Sequence, residues 1–96
     1  MEEVLWYLLA SSRGGETRAR ILRTIDDQPR NANQLADVLD LDYTTVRYHL
    51  DVLMADNVLK QVGDGYGDVY LPTDQARHNW ETVMEITDRV LPEEES

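Results

Sequence analysis

Two short apolar stripes of helical period, separated by three residues, constrain this chain more than any other feature. They lie in residues 33–56, NQLADVLDLDYTTVRYHLDVLMAD. Leu35, Val38 and Leu39 form the first stripe, Asp40-Leu41-Asp42 interrupts it, and Val46, Leu50 and Leu53 begin the second. This spacing predicts two helices meeting at a tight corner, a helix-turn-helix over residues 33–56. Asp42 precedes Tyr43, where its carboxylate can accept free N–H groups of the first turn at the positive end of the helix dipole, so it is expected to cap the second helix. Asp40 stands where a glycine is common. A short polar side chain tolerates a left-handed backbone better than a branched one does.

The flanking segments complete a recognisable order. Residues 2–12 read as a first helix in which Val4, Leu5, Trp6, Tyr7, Leu8 and Leu9 are apolar or aromatic on nearly every side, ending before Gly14-Gly15. Residues 16–27 read as a second helix with Ile21, Leu22 and Ile25 inward and Arg18, Arg20 and Arg23 outward, stopped by Gln28-Pro29. Residues 58–62 and 68–71 have strand character and are joined by a glycine-rich tip over 63–67, which predicts a hairpin. Thr73 is the expected N-cap of a last helix over residues 74–90, which Pro92 and an acidic tail terminate. The expected fold is mainly α with a small β-hairpin: a winged helix-turn-helix of about five helices plus a two-stranded wing over 58–71.

A length of 96 residues suits one domain, 1–96, with one modest core. Cysteine is absent, which leaves no disulfide, thiolate site or cysteine nucleophile and fits a cytoplasmic, reducing setting. Val4 to Ala10 is too short an apolar run for a bilayer and follows two glutamates, so neither a signal peptide nor a membrane contact is expected. Glycine-loop, nucleophile-elbow and paired-carboxylate patterns are lacking, so no enzyme, cofactor or small-molecule ligand is expected.

The second helix of the motif carries the residues that would do chemistry. Tyr43, Thr44, Thr45, Arg47 and Tyr48 offer hydrogen-bonding groups or flat faces while Val46 and Leu50 turn to the core, the distribution needed to enter a major groove of double-stranded DNA. Arg47 suits a guanine fork or phosphate clamp, or else an ion pair to Asp51 four residues on. Tyr48 suits thymine methyls or phosphate, or packing under the wing. His49 is expected to hydrogen-bond backbone or phosphate, Arg20 and Arg30 to grip phosphates, and Tyr66 to approach the minor groove or backbone.

A net charge of −10 is unusual for a nucleic-acid partner. Its distribution matters: residues 1–50 hold six arginines against eight acids, whereas residues 51–96 hold three bases against eleven. One lysine beside eight arginines, with acids spread along the chain, resembles proteins of salt-loving archaea. In molar salt the Debye length is about 3 Å, and an acidic surface hardly repels DNA.

The tracts ILRTI, QLADVLDLDYTTVRYHLDVL and GDVYLPTDQAR give the chain a resemblance, over about residues 18–77, to the ArsR-type (ArsR/SmtB-like) transcriptional regulators. The resemblance implies a homodimeric DNA-binding regulator whose first and last helices, 1–12 and 74–91, form the interface. Leu5, Leu8 and Leu9, together with Trp80, Val83, Met84, Thr87 and Leu91, are the expected interface residues; the stripe on the last helix can also pack onto the chain's own first helix, and both can hold. Metal-sensing relatives carry a Cys-x-Cys pair where this chain has Asn31 and Asn33, so that sensor is missing. Asp74, His78 and Glu81 fall at i, i+4 and i+7 and form a weak candidate for a second, metal-responsive site on the last helix. The alternative to a DNA reader is a winged-helix module that binds protein within a larger assembly, a reading that the acidic wing favours.

Overall fold

In a computed structural model, residues 1–63 and 67–92 are described. Helix α1 (Glu2–Trp6) continues directly into a π-helical turn over Tyr7–Ser11, and Ser12 turns the backbone extended. The residues expected to form one regular helix therefore change hydrogen-bond register halfway. Helix α2 (Gly15–Asp27) follows a left-handed Gly14 at φ 88°. Gly15 packs backbone to backbone on the π turn, because a Cβ placed there would overlap the carbonyl oxygen of Leu9.

Helices α3 (Ala32–Leu39) and α4 (Tyr43–Ala55) form the expected helix-turn-helix. Asn31 and Gln34 close a reciprocal capping box at the start of α3, with bonds of 2.8 and 2.9 Å. Asp40 takes the left-handed conformation at φ 56°, ψ 48°, and the Asp42 carboxylate accepts the Thr45 N–H at 2.8 Å. That bond holds the Asp42 carboxyl below its ordinary pKa. Val38 departs from expectation and is 53% exposed. A helix of eight residues offers few inward positions, and Ala32, Leu35 and Leu39, at i, i+3 and i+7, occupy them.

Strands β1 (Leu59–Val62) and β2 (Val69–Pro72) pair antiparallel with Leu59 opposite Pro72 and Val62 opposite Val69. Both begin one residue later than the sequence suggests. Pro72 is tolerated at the strand end, where a missing N–H breaks no inner ladder bond. On its other side β2 bridges to Arg30, whose carbonyl accepts the Tyr70 N–H at 2.9 Å. This ties the wing to the linker between α2 and α3. Thr73 caps the next helix as expected, accepting the Ala76 N–H at 3.1 Å while its hydroxyl donates to the Asn57 carbonyl at 2.7 Å.

The final helical segment is broken at Asn79 into α5 (Asp74–His78) and α6 (Trp80–Val90), which makes six helices among the described residues rather than about five. The break places Asp74 and His78 of the weak metal candidate on α5 and Glu81 on α6. Among the described residues no group of three His, Cys, Asp or Glu side chains could hold a metal ion.

The core gathers Leu22, Ile25, Leu35, Leu50, Leu53 and Tyr70 between α2, the helix-turn-helix and the wing. On the other side of α2, Leu5, Leu8 and Leu9 pack with Val83 and Ile86 of α6. This corrects the expected interface. Leu5, Leu8, Leu9, Val83, Thr87 and Leu91 are all buried within one chain, so α2 and α6 supply the cover that a second copy was expected to supply. Trp80 is partly engaged too, its indole N–H donating to Asp26 at 2.7 Å. The exposed apolar groups of this region are Val4 and Tyr7, at 38% and 62%. No helix among the described residues is long and apolar enough to cross a membrane.

Candidate nucleic-acid interface

Helix α4 has two chemically distinct faces. Val46, His49, Leu50 and Leu53 are buried at i, i+3, i+4 and i+7, and this stripe seats the helix on the core. Tyr43, Thr44, Thr45 and Tyr48 are exposed, and Arg47 is half-buried beside them. Five of the sequence-chosen residues therefore share the outer surface of one capped helix. Tyr48, 61% exposed, does not pack under the wing; its ring meets His49 edge-on at 5.1 Å between centroids.

Arg47 is held by its own helix. Its Nη1 donates to the Tyr43 hydroxyl at 3.3 Å, and Nη2 lies 3.6 Å from the Asp51 carboxylate. Both pairs are one helical turn apart and partly solvated, so each is weak and replaceable by a better acceptor. Arg47 and Tyr43 also line a polar concavity of about 160 Å³ with Asn31 and Asn33 from α3 and Gln61, Asp68 and Tyr70 from the wing. Helix α4, the start of α3 and the wing thus meet around one guanidinium.

His49 is not on this surface. It is 7% exposed and faces α2, where the Arg18 Nη1 lies 3.0 Å from its Nδ1. Arg18, expected outward, is 3% exposed. Its other contacts are the Leu8 carbonyl from Nε at 3.0 Å, the Arg13 carbonyl from Nη2 at 3.0 Å, and the Ser12 hydroxyl. A guanidinium has only donors, so the imidazole Nδ1 must accept, and the neutral ring carries its proton on Nε2. Burial, and then the charge of Arg18, push the His49 pKa below its ordinary value. The signal for both residues was present in the sequence: Arg18 precedes Ile21, Leu22 and Ile25 by 3, 4 and 7 residues, and His49 follows Val46 by 3.

The remaining candidates are scattered. Arg20 is exposed in a groove with Arg23, Val38, Leu39 and Leu91, a groove that contains no residue of α4. Arg30 sits beside the wing, its Nη2 3.1 Å from Asp27. Tyr66 lies outside the described residues.

Residues 15–62 match the family described as Helix-turn-helix domain. Among solved structures, the chain is similar to the transcriptional regulator BldR of Sulfolobus solfataricus, with 15% identity, a TM-score of 0.68, and coverage of 92% of this chain and 64% of that one. It is similar to the adhesin competence repressor of Streptococcus pyogenes, with 20% identity, a TM-score of 0.67, and coverage of 91% and 66%. A transcriptional regulator of Thermotoga maritima matches at 23% identity and a TM-score of 0.60, over 75% of this chain and 53% of that one. The chain spans less than two thirds of the length of each of these structures. No curated protein matches it. The matched segment runs from the start of α2 to the end of β1 and holds both helices of the motif, the Asp42 cap and the Arg18–His49 contact; the fold is a winged helix-turn-helix, and the chain belongs to the Helix-turn-helix domain family.

Proposed function

We propose that this protein is a DNA-binding transcriptional regulator that inserts α4 into the major groove. The observation that carries the reading is the division of α4: Tyr43, Thr44, Thr45, Arg47 and Tyr48 outward on a helix whose other face is fully used by the core. Arg47 supplies the one full positive charge of that surface and either forks a guanine or clamps a phosphate, exchanging its weak contacts to Tyr43 and Asp51 for the DNA. Tyr43 and Tyr48 bring flat faces and hydroxyls to backbone or thymine methyls. Arg20 and Arg30 act as phosphate grips outside the helix. The description of the three neighbours as regulators or repressors supports the same reading.

The regulator acts as a homodimer in this reading. The leucines of the N-terminal segment are spent inside the chain, so the seam is built from what remains outside: Val4 and Tyr7, one turn apart on the N-terminal segment, with the partly exposed Trp80 and Met84 of α6. Within the winged-helix regulators, the tracts ILRTI and YHLDVL favour the ArsR-like branch, and the acidic, lysine-poor surface favours a high-salt cytoplasm.

The test is retardation of the duplex upstream of the protein's own gene, and of random duplex, in molar KCl, beside the mass of the protein by sedimentation. A dimer that retards its upstream duplex at a lower concentration than random duplex supports the reading. A folded protein that retards neither refutes it.

A further inference from the structure

We propose that Arg18 is a positioning residue for the recognition helix, and that its bond to His49 is a proton-sensitive strut which holds α4 in place while the imidazole is neutral and releases it when the imidazole is charged. The proposal rests on the reading of α4 as the helix that meets DNA. The geometry behind it is a junction of three segments at one buried guanidinium. Arg18 belongs to α2, reaches the N-terminal segment at the Leu8 carbonyl, Ser12 and the Arg13 carbonyl, and reaches α4 at His49. Three of its contacts fix it to the N-terminal segment, and one ties α4 to that fixed point.

Protonation strikes the single contact that can fail. A proton taken up by the neutral ring goes to Nδ1, which then becomes a donor facing another donor at 3.0 Å, with two positive charges side by side. The charge acting on His49 is that of Arg18; Tyr48 from its own helix touches it edge-on, and Gly14 from the turn brings only backbone. No carboxylate is among the described groups that act on it, so no described group compensates the second charge. Arg18 keeps its carbonyl partners, and the displacement falls on His49, next to Tyr48 and two residues from Arg47. The imidazole occupies the space that a side chain at position 14 would need: a Cβ there would lie 2.6 Å from its Cε1.

The sign follows from linkage. The folded chain binds this proton less readily than the unfolded chain, so the contribution to stability is complete above pH about 6.5 and declines as the pH falls below it.

Nitrogen-15 correlation spectra of the wild-type protein across pH 8 to 5 read the tautomer and titration of His49. Amide exchange of residues 8–13 and 43–53 is followed over the same range. Affinity for a duplex selected from a random library is measured at both pH limits for wild type and His49→Gln, whose amide oxygen accepts from Arg18 and takes no proton. The expected result is a neutral ring protonated on Nε2, titration below the ordinary imidazole range, faster exchange in both segments as His49 charges, and a several-fold loss of wild-type affinity that His49→Gln does not share. A neutral ring protonated on Nδ1, titration of His49 in the ordinary imidazole range, or a parallel pH profile in His49→Gln would overturn the strut. If no duplex is retained at pH 8 the DNA reading fails separately, and exchange that stays unchanged through the His49 titration then contradicts the strut on its own. The wild-type spectra decide the same question if His49→Gln does not fold.

Discussion

Arg18 and Arg47 sit on either side of the same helix, and the contrast between them separates what builds this domain from what it presents. Arg18 is enclosed, makes four contacts to neutral partners on two segments, and meets no carboxylate among the described ion pairs. Arg47 is half-exposed and meets one carboxylate and one hydroxyl, both on its own helix. A buried charge without a counter-charge is costly to hold, and it persists only where carbonyls and a neutral imidazole take its protons. An exposed arginine loosely tied to its own helix exchanges partners at small cost. The inner contact is thus structural and all-or-none, whereas the outer one is a free hand.

The comparison breaks first at Arg18. Arg18→Ala should destabilise the fold by roughly 3–4 kcal/mol, because it strands the Leu8 and Arg13 carbonyls and the His49 ring in a buried junction. Chemical denaturation followed by circular dichroism measures it. A loss below about 1 kcal/mol would mean that the junction is solvated rather than built.

Gly14→Ala comes next, at roughly 2–3 kcal/mol by the same assay, since the left-handed backbone at φ 88° is unfavourable for alanine and the added Cβ meets the His49 ring. The two losses should be less than additive if both act through the position of His49.

These inner residues also show where the sequence was legible. The order of elements, the Asp42 and Thr73 caps and the left-handed Asp40 follow from local chemistry, since each depends on neighbours within a few residues. The outer face of α4 was readable for the same reason: once Val46 and Leu50 point inward, Thr44 and Tyr48, on the opposite side of the helix, cannot. The charge of Arg18 suggests an outward side chain, but its position in the helix decides otherwise. Its spacing to Ile21, Leu22 and Ile25 puts it on the inner face, and His49 stands likewise to Val46, Leu50 and Leu53. Each polar residue is unfavourable alone on an apolar stripe, and only the contact between the two stripes, 31 residues apart, makes them compatible. The π turn at Tyr7–Ser11 and the break at Asn79 depend on tertiary packing in the same way. Whether one chain can cover Leu5, Leu8 and Leu9 is a property of the assembled fold, which local spacing does not contain.

On the outer side, Arg47→Ala should leave the denaturation midpoint nearly unchanged, within about 0.5 kcal/mol, yet weaken binding to a selected duplex by about 1–3 kcal/mol. Thr44→Ala and Thr45→Ala should each cost less. Arg20 and Arg30 substitutions should weaken selected and scrambled duplex alike, as phosphate grips do. Titration of each folded variant at one salt concentration separates these patterns. Equal losses on both duplexes for Arg47→Ala would move it from reading to gripping.

The most diffuse effect is that of salt. With a net charge of −10, the melting temperature should climb from dilute buffer to molar KCl as repulsion among the surface acids is screened. The Arg18 contact, being buried, should feel little of this, so Arg18→Ala should lower the melting temperature by a similar amount at both ends of the series. A flat wild-type curve would remove the salt-adapted reading of the surface.

The central claim is that the outer face of α4 meets DNA while the inner face does not. Amide and side-chain nuclear magnetic resonance shifts of the isotope-labelled wild-type protein, titrated with a selected duplex at fixed salt and pH 8, test it most directly. The account predicts that the largest changes fall on Tyr43, Thr44, Thr45, Arg47 and Tyr48, with the Arg47 guanidinium signals leaving their free positions and the Arg18 and His49 signals holding theirs. Changes concentrated on Val4, Tyr7 and α6, with Tyr43 to Tyr48 unmoved, would contradict it.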